Sequence, residues 1–183
     1  MIYSTEELKK TLGSNYKIKS KIQNGELFKI SHGIYSDESP YLSELENIFK
    51  RYPNAILTLQ SAFSYYELSD YIPDKYVIAT SQKAHKIDNP KVEQLYITKD
   101  ILDIGKKTIK TEYGTINIYD KERLLIEVFR LKSKLPFSYY KEIVNSYRLL
   151  VAKEMIDLNL IIKYCSKLKN GQNIRKQIQE IIL

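Results

Sequence analysis

The stretch IQNGELFKISHGIYS, residues Ile22–Ser36, decides the expected fold of the N-terminal region. A lysine-rich helical pattern ends at a Gly, and two short β-prone runs, LFKI and IYS, then flank an SHG loop. Apolar runs separated by a short Gly-containing loop are typical of a β-hairpin. We therefore expect a helix that leads directly into a two-stranded ribbon.

Two helices are predicted before this ribbon. In STEELKKTLG, Ser4 and Glu7 have the spacing of a capping box, and Gly13 has the place of a C-cap. In SNYKIKSKIQNG, Ser14 would cap a second helix with an apolar face, and Gly25 would end it. Helix, turn, helix and hairpin is the element order of a winged helix-turn-helix, although the same order also occurs as plain structural packing.

In a winged helix, the second helix enters the DNA major groove and the hairpin, or wing, contacts neighbouring phosphates. Lysines suit phosphate, and Asn or Gln can pair with adenine edges. The predicted phosphate contacts are Lys17, Lys19, Lys21 and Lys29. The predicted base-edge contacts are Ser20, Gln23 and Asn24, with Tyr16 near the groove wall. His32 and Tyr35 would position the wing.

The charge distribution is compatible with this interpretation. The chain has a formal net charge of +7, made up of +3 over residues 1–36, −3 over 37–120 and +7 over 121–183. Basic segments favour nucleic acid, which is bound largely by neutralising phosphates. A generally lysine-rich composition is the alternative source of the total charge.

The rest of the chain predicts an α/β (α+β) fold. An amphipathic pattern over residues 41–51 stops at Tyr52-Pro53. Strands are predicted at 55–59, 76–80, 92–98 and on both sides of Tyr113-Gly114, with a short helix after the first. Helices are predicted from Lys121 to Pro136, then over 138–150, 154–168 and 172–182. We expect a winged-helix domain over 1–52, then a small mixed or antiparallel sheet with a helical C-terminal region over 53–183.

The sequence gives little support for catalysis. It contains no GxSxG, P-loop or GxGxxG motif, and neither His32 nor His85 has a partner at metal-ligand spacing. We expect no enzyme activity, no cofactor and no metal. No run is apolar enough for a membrane helix, and MIYSTEELKK lacks the features of a secretion signal, so a cytoplasmic protein is expected.

One acidic cluster leaves an enzymatic alternative open. Asp120 and Glu122, with Lys121 and Glu127, could hold a divalent ion in a metal-dependent nuclease. Helix capping explains the same residues without chemistry. Asp120 fits an N-cap, Glu122 lies in the first turn, and Glu127 is spaced to contact Arg130.

Three segments, in this order, resemble the AbiEi-type antitoxins of type IV toxin–antitoxin (abortive infection) systems. NGELFKISHGIYS is similar to the wing of that family. LTLQSAFSYYELSDYIPDKYVIAT is similar to its helix, turn and strand, and GTINIYDKERLLIEVF to its strand followed by a helix start. The resemblance covers most of the chain.

The resemblance implies an N-terminal winged-helix domain that binds double-stranded DNA and a C-terminal antitoxin domain. It implies binding to inverted repeats in the protein's own promoter and repression of the operon. It also implies opposition to a toxin of the nucleotidyltransferase class, with or without a stable complex. Besides Ile126 in the helix start, where the family often has a small or polar residue, two departures bear on DNA binding. His32 replaces a usual Arg, and the two short helices before the wing leave the domain one helix short unless residues 41–51 supply it. An antitoxin that contacts only its toxin, without DNA, is therefore an open alternative.

Overall fold

The computed structural model describes residues 1–24, 26–37, 44–111 and 114–182. These residues form two compact units. The first unit comprises the described residues of Met1–Ala55 and Thr108–Asn117, and the second those of Ile56–Lys107 and Ile118–Leu183. The sequence prediction divides the chain into 1–52 and 53–183. It does not predict that Thr108–Asn117 belongs to the first unit.

The first unit begins with the elements that the sequence predicts, preceded by one strand that it does not. Their bounds are β1 Ile2–Ser4, α1 Thr5–Leu12, α2 Asn15–Gln23, β2 Phe28–Ser31, β3 Ile34–Ser36 and α3 Glu44–Arg51. The predicted capping box is present, since Ser4 N donates to Glu7 Oε2 at 2.7 Å and Glu7 N donates to Ser4 Oγ at 3.3 Å. Gly13 caps α1 in the left-handed conformation, with φ 81°.

The predicted hairpin is the β2–β3 pair, and β1 extends it to three strands in the order β1-β3-β2. The added strand is the tripeptide IYS, and it pairs antiparallel with the identical tripeptide of β3, Ile2 opposite Ser36 and Tyr3 opposite Tyr35. A three-residue strand at the start of a chain carries too little periodicity to be recognised. The pairing with β3, and not the local sequence, therefore defines this strand.

A small apolar cluster holds the two helices against the hairpin. Leu8, Ile18 and Leu27 are buried at its centre, and Leu12, Ile22, Tyr3 and Tyr35 pack against it while half-buried. The predicted C-cap Gly25 and the first residues of the predicted 41–51 helix lie outside the described residues. Helix α3 ends, as expected, just before Tyr52-Pro53, and its Lys50 forms an ion pair with Glu7 of α1 at 2.6 Å.

The remaining elements run from Ile56 to Ile181. The strands are β4 Ile56–Leu57, β5 Tyr76–Ser81, β6 Val92–Ile97, β7 Lys106–Thr111 and β8 Gly114–Tyr119. The helices are α4 Leu59–Tyr65, α5 Lys99–Leu102, α6 Lys121–Arg130, α7 Phe137–Ala152, α8 Leu158–Cys165 and α9 Gly171–Ile181, with a 3-10 turn at Lys132–Lys134.

The five strands form one mixed sheet in the order β6-β5-β4-β8-β7. β4 pairs antiparallel with β5 and parallel with β8, and β5 pairs parallel with β6 over its whole length. The expectation of an α/β protein with a small mixed sheet is confirmed. Helix α6 is buried from Glu122 to Phe129, which is typical of a helix enclosed by its own unit.

The end of α6 and the presence of α5 differ from the sequence prediction, and α8 begins at Leu158 rather than at the predicted 154. The helix predicted to continue to Pro136 ends at Arg130, because Leu131 N makes the last helical bond to Glu127 O and a 3-10 turn follows. Leu131 and Leu135 keep a helical spacing across that turn, which hides the break from a periodicity argument. Helix α5 has only four residues, too few to give a pattern. Across the described part of the chain, no helix has the length and apolar character that a membrane span requires.

Candidate nucleic-acid interface

The structure places the ten predicted DNA-contacting residues on α2 and on the adjoining hairpin. Tyr16 is 80% exposed. The other exposed members are Lys17, Lys19, Gln23, Asn24, Lys29 and His32, and the half-buried ones are Ser20, Lys21 and Tyr35. The predicted exposed face of α2 is therefore present, with Ser20 at its edge.

Part of this set lines a cleft of about 340 Å³ between α1, α2 and the hairpin. Lys19, Lys29, His32 and Tyr35 lie in its wall. The described residues around it include no carboxylate. The structure thus brings residues of α2 and of the β2–β3 hairpin together on one basic concave surface.

The hairpin turn is fixed against the start of α1. Thr5 N donates to Gly33 O at 2.9 Å, and Thr5 Oγ1 donates to the same oxygen at 3.2 Å. Gly33 has φ 78°, a conformation that costs a residue with a Cβ far more than it costs glycine. This anchor fixes the backbone next to His32, so the cleft does not depend on a freely moving turn.

The predicted lysines differ in how their charge is compensated. Lys21 Nζ forms an ion pair with Glu26 at 2.7 Å, and Asn24 Nδ2 donates to the other oxygen of the same carboxylate at 3.4 Å. The hydrogen bond from Lys21 lowers the pKa of Glu26, so this competitor is ionised at neutral pH. Within the described residues, Lys17, Lys19 and Lys29 take part in no ion pair. These three are the ones available to a phosphate.

Lys9 and Asn15 are among the cleft residues that the sequence prediction missed. Lys9 lies in the last turn of α1, and Asn15 is the first residue of α2. The tight turn at Gly13 brings the end of one helix beside the start of the next, which is the signal that could have indicated both. The sequence prediction considered only the outer face of α2 and the hairpin.

The carboxylates of the acidic cluster, the basis of the nuclease alternative, accept hydrogen bonds from groups of the protein itself. Asp120 caps α6, as predicted. Its Oδ1 accepts from Arg123 N and its Oδ2 from the Tyr164 hydroxyl, both at 2.8 Å. Burial raises the pKa of Asp120, against the lowering effect of these two bonds. Glu122 Oε1 accepts from Asp157 N at 3.0 Å.

Glu127 is engaged in the same way. Its Oε1 accepts from Arg123 Nε at 2.8 Å and from Arg130 Nη1 at 2.7 Å, which confirms the predicted contact with Arg130. Arg123 is fully buried, and its Nη1 donates to the carbonyls of Ile101 and Ile104. The partner role of Arg123 was not predicted. Nowhere in the described ranges do three His, Cys, Asp or Glu residues form a group suited to a metal ion.

Comparison with known proteins informs the fold only. No protein-family model matches the chain. No curated protein sequence matches it either. The chain is similar in structure to the RV2827C protein from Mycobacterium tuberculosis, with a TM-score of 0.58 and 15% identity over 96% of this chain and 71% of that one. At this identity the likeness supports the mixed α/β architecture and carries no function with it.

Proposed function

We propose that this chain is a non-enzymatic antitoxin of the AbiEi type that binds double-stranded DNA through α2 and the β2–β3 hairpin. It would repress its own operon by binding inverted repeats in the promoter. It would also counter a toxin of the nucleotidyltransferase class. The DNA-binding part of this proposal is supported by the geometry of the first unit, and the antitoxin part by the resemblance of the three sequence segments.

The observation that carries the proposal is the uncompensated basic cleft beside the exposed face of α2. Lys9, Lys19, Lys29 and His32 converge there without a carboxylate among the described lining residues. Positive charge that the fold does not neutralise favours a polyanion, because phosphates release their own counterions on binding.

The size and chemistry of α2 suit the DNA major groove. A helix with its side chains is about 10–12 Å across, close to the groove width of about 12 Å, and the nine residues of α2 make it about 13 Å long. Gln23 and Asn24 are exposed at its C-terminal end and offer amides for base edges. Lys17 and Lys19 are exposed on the same helix and would lie against phosphates.

Fluorescence anisotropy with a labelled duplex from the region upstream of the gene tests the proposal, with a shuffled duplex as control and a series of salt concentrations. The wild-type chain is expected to prefer the native duplex and to lose affinity as salt rises. Lys17→Glu with Lys19→Glu should weaken binding to both duplexes. The slope of log affinity against log salt should become shallower, by about 0.9 for each phosphate that the variant no longer neutralises.

Lys163→Glu with Lys167→Glu is the matched charge control, since both lysines are exposed in the second unit and the change in net charge is the same. It should leave the anisotropy titration unchanged. If the two double variants weaken binding alike, affinity follows net charge and the assignment to α2 fails.

Sequence discrimination is a separate property. Asn24→Ala should reduce the preference for the native over the shuffled duplex by about 1–3 kcal/mol while leaving shuffled-duplex binding nearly unchanged. Asn159→Ala, on the exposed surface of α8, is the control. An unchanged preference in Asn24→Ala would place base readout elsewhere.

Two alternatives have their own readouts. Equal weak binding to both duplexes, together with rescue of cells that express the nucleotidyltransferase-type product of the neighbouring gene, would favour an antitoxin that acts without DNA. Cleavage of plasmid or RNA in Mg²⁺ or Mn²⁺ that disappears in Asp120→Asn would favour the nuclease. The protein donors on Asp120, Glu122 and Glu127 argue against the nuclease.

A further inference from the structure

The second unit contains another cleft, of about 490 Å³, formed by the end of α6, the 3-10 turn, the start of α7 and one residue of α9. Arg130, Lys132, Phe137 and Tyr140 lie in its wall, together with the amide of Gln177. Its size is within the range of about 300–1,000 Å³ found for small-molecule sites. Neither the resemblance nor the proposed function assigns it a role.

The cleft lies in a basic segment of the chain. The twelve residues from Arg130 to Lys141 include four Lys or Arg and no Asp or Glu. Arg130 donates one nitrogen to Glu127, but that carboxylate is shared with Arg123, so the three side chains together keep one positive charge. Lys132 adds a second, exposed charge at the rim. An anion is therefore the ligand that this wall favours.

Aromatic surface lies next to these cations. Phe137 is 72% exposed, unusual for a side chain that gains so much free energy from burial. Lys132 Nζ lies 4.8 Å from the centre of the Tyr140 ring, and Lys141 Nζ lies 5.6 Å from that of Phe137. The hydroxyl of the buried Tyr140 has no hydrogen-bond partner in the described structure. An exposed aromatic ring among cations is a combination by which proteins bind nucleotides, with stacking for the base and charge for the phosphate.

The start of α7 adds backbone donors at the same place. Pro136 occupies the N-cap and provides no side-chain hydrogen bond to the first turn of this sixteen-residue helix. The cleft residues Leu135 and Phe137 flank that cap. Open amides at a helix N-terminus stabilise a phosphate.

We propose that this cleft binds a nucleoside phosphate, either as a free nucleotide or as one nucleotide of a single-stranded nucleic acid. The base would lie against Phe137, and the phosphate would contact Arg130 and Lys132. This site is separate from the duplex-binding surface of the first unit and would function without it.

Isothermal titration of the full chain with ATP tests the proposal, with inorganic triphosphate and adenosine as the two halves of the ligand. ATP should bind at least about tenfold more tightly than either half, because base and phosphate are held together. Phe137→Ala and Lys132→Glu should each weaken ATP binding by about tenfold. Both side chains are exposed, so the variants are expected to fold, and circular dichroism checks that they do.

The second unit offers matched controls. Leu149→Ala removes another large exposed apolar side chain of α7, and Lys163→Glu reverses another exposed charge. Both should bind ATP like the wild type, as should the Lys17→Glu, Lys19→Glu double variant of the first unit. Loss of binding in that double variant would assign the ligand to the DNA-binding surface and overturn the proposal.

Anisotropy with a labelled single-stranded oligoadenylate separates the two sources of the ligand. Tighter binding of the strand than of ATP, with the same dependence on Phe137, supports a nucleotide within a strand, and the reverse order supports a free nucleotide. The proposal fails if millimolar ATP does not bind, if triphosphate binds as well as ATP, or if Phe137→Ala and Lys132→Glu behave like their controls.

Discussion

The two units of this chain hold basic side chains in contrasting environments. In the second unit, Arg123 is fully buried and its guanidinium contacts Glu127 and two backbone carbonyls. In the first unit, Lys17, Lys19 and Lys29 are exposed and take part in no ion pair with a described residue. Arg123 is neutralised inside the fold, whereas the charge of these lysines is left to solvent or to a partner.

This difference shows why total charge is a weak guide to function. A buried charge must have its partners, because an unpaired one costs several kcal/mol. An exposed charge has no such requirement, so a basic surface that the fold leaves uncompensated is informative about what binds there. The C-terminal segment has the larger net charge, yet part of it is held in the core of its own unit.

Replacing Arg123 is expected to give the largest effect. Arg123→Met should lower the free energy of unfolding by about 3–5 kcal/mol, because Glu127 stays buried without one of its two guanidinium partners. Urea denaturation followed by circular dichroism measures the loss. Lys17→Met, on an exposed face of the first unit, should change stability by no more than about 0.5 kcal/mol.

The double variant Arg123→Met, Glu127→Leu is the control for the cause of this loss. It should recover part of the lost stability, because no buried charge is left unpaired. A single variant that loses as little as Lys17→Met would show that the buried pair does not support the second unit.

Replacing either of two glycines with positive φ should lower stability by an intermediate amount, and the two losses should differ between the units. A Cβ at Gly105 would lie 2.4 Å from Arg123 Cβ and 3.0 Å from Asp120 Oδ1, whereas a Cβ at Gly13 would meet nothing within 4 Å. Gly105→Ala should therefore cost about 2–4 kcal/mol, from backbone strain and overpacking together. Gly13→Ala should cost about 1 kcal/mol, from strain alone. Thermal denaturation of both variants checks this, and equal losses would contradict the packing around Gly105.

The smallest expected effect concerns how folding stability depends on pH at two acidic residues that cap helices, Glu7 and Asp120. Burial alone would raise the pKa of Glu7, but hydrogen bonds from Lys50 and Ser4 hold it below its ordinary value. Glu7 therefore stabilises the fold above its unfolded pKa, and this contribution is lost as pH falls through the folded pKa. For Asp120, burial raises the pKa, so its contribution is largest below the unfolded pKa and decreases as pH rises to the folded one.

Glu7→Gln and Asp120→Asn test this by urea denaturation between about pH 3 and pH 7. Relative to the wild type, the stability deficit of Glu7→Gln should grow as pH rises over this range, and that of Asp120→Asn should shrink. Deficits that change in the same direction would show that one of the two environments is misassigned.

Local signals in the sequence predict a large part of this fold. The capping box of Ser4 and Glu7, the C-cap at Gly13 and the N-cap at Asp120 each depend on neighbouring residues, and each is present. The hairpin and most helices also follow from short-range patterns. Strand β1, by contrast, is defined by its pairing with β3, more than thirty residues away, and no local pattern encodes such a contact.

The candidate interface could be predicted only in part for the same reason. The exposed face of α2 follows from helical periodicity, and the structure has it. Lys9 lies in the cleft because α1 packs on α2. Glu26, in the segment after α2, forms an ion pair with Lys21 and accepts a hydrogen bond from Asn24. Arg123 looks like any helix-surface residue in the sequence, and only its enclosure shows that it is a core residue.

The sharing of Glu127 by Arg123 and Arg130 has a consequence for how this protein can change over evolutionary time. One carboxylate balances an arginine in the core and an arginine in the wall of the second cleft. A lineage that replaces Glu127 must therefore also replace Arg123, whereas one that replaces Arg130 alone keeps the core pair. Positions 123 and 127 should accordingly be inherited together among relatives. Position 130 should vary more freely, in step with changes in the ligand of the cleft.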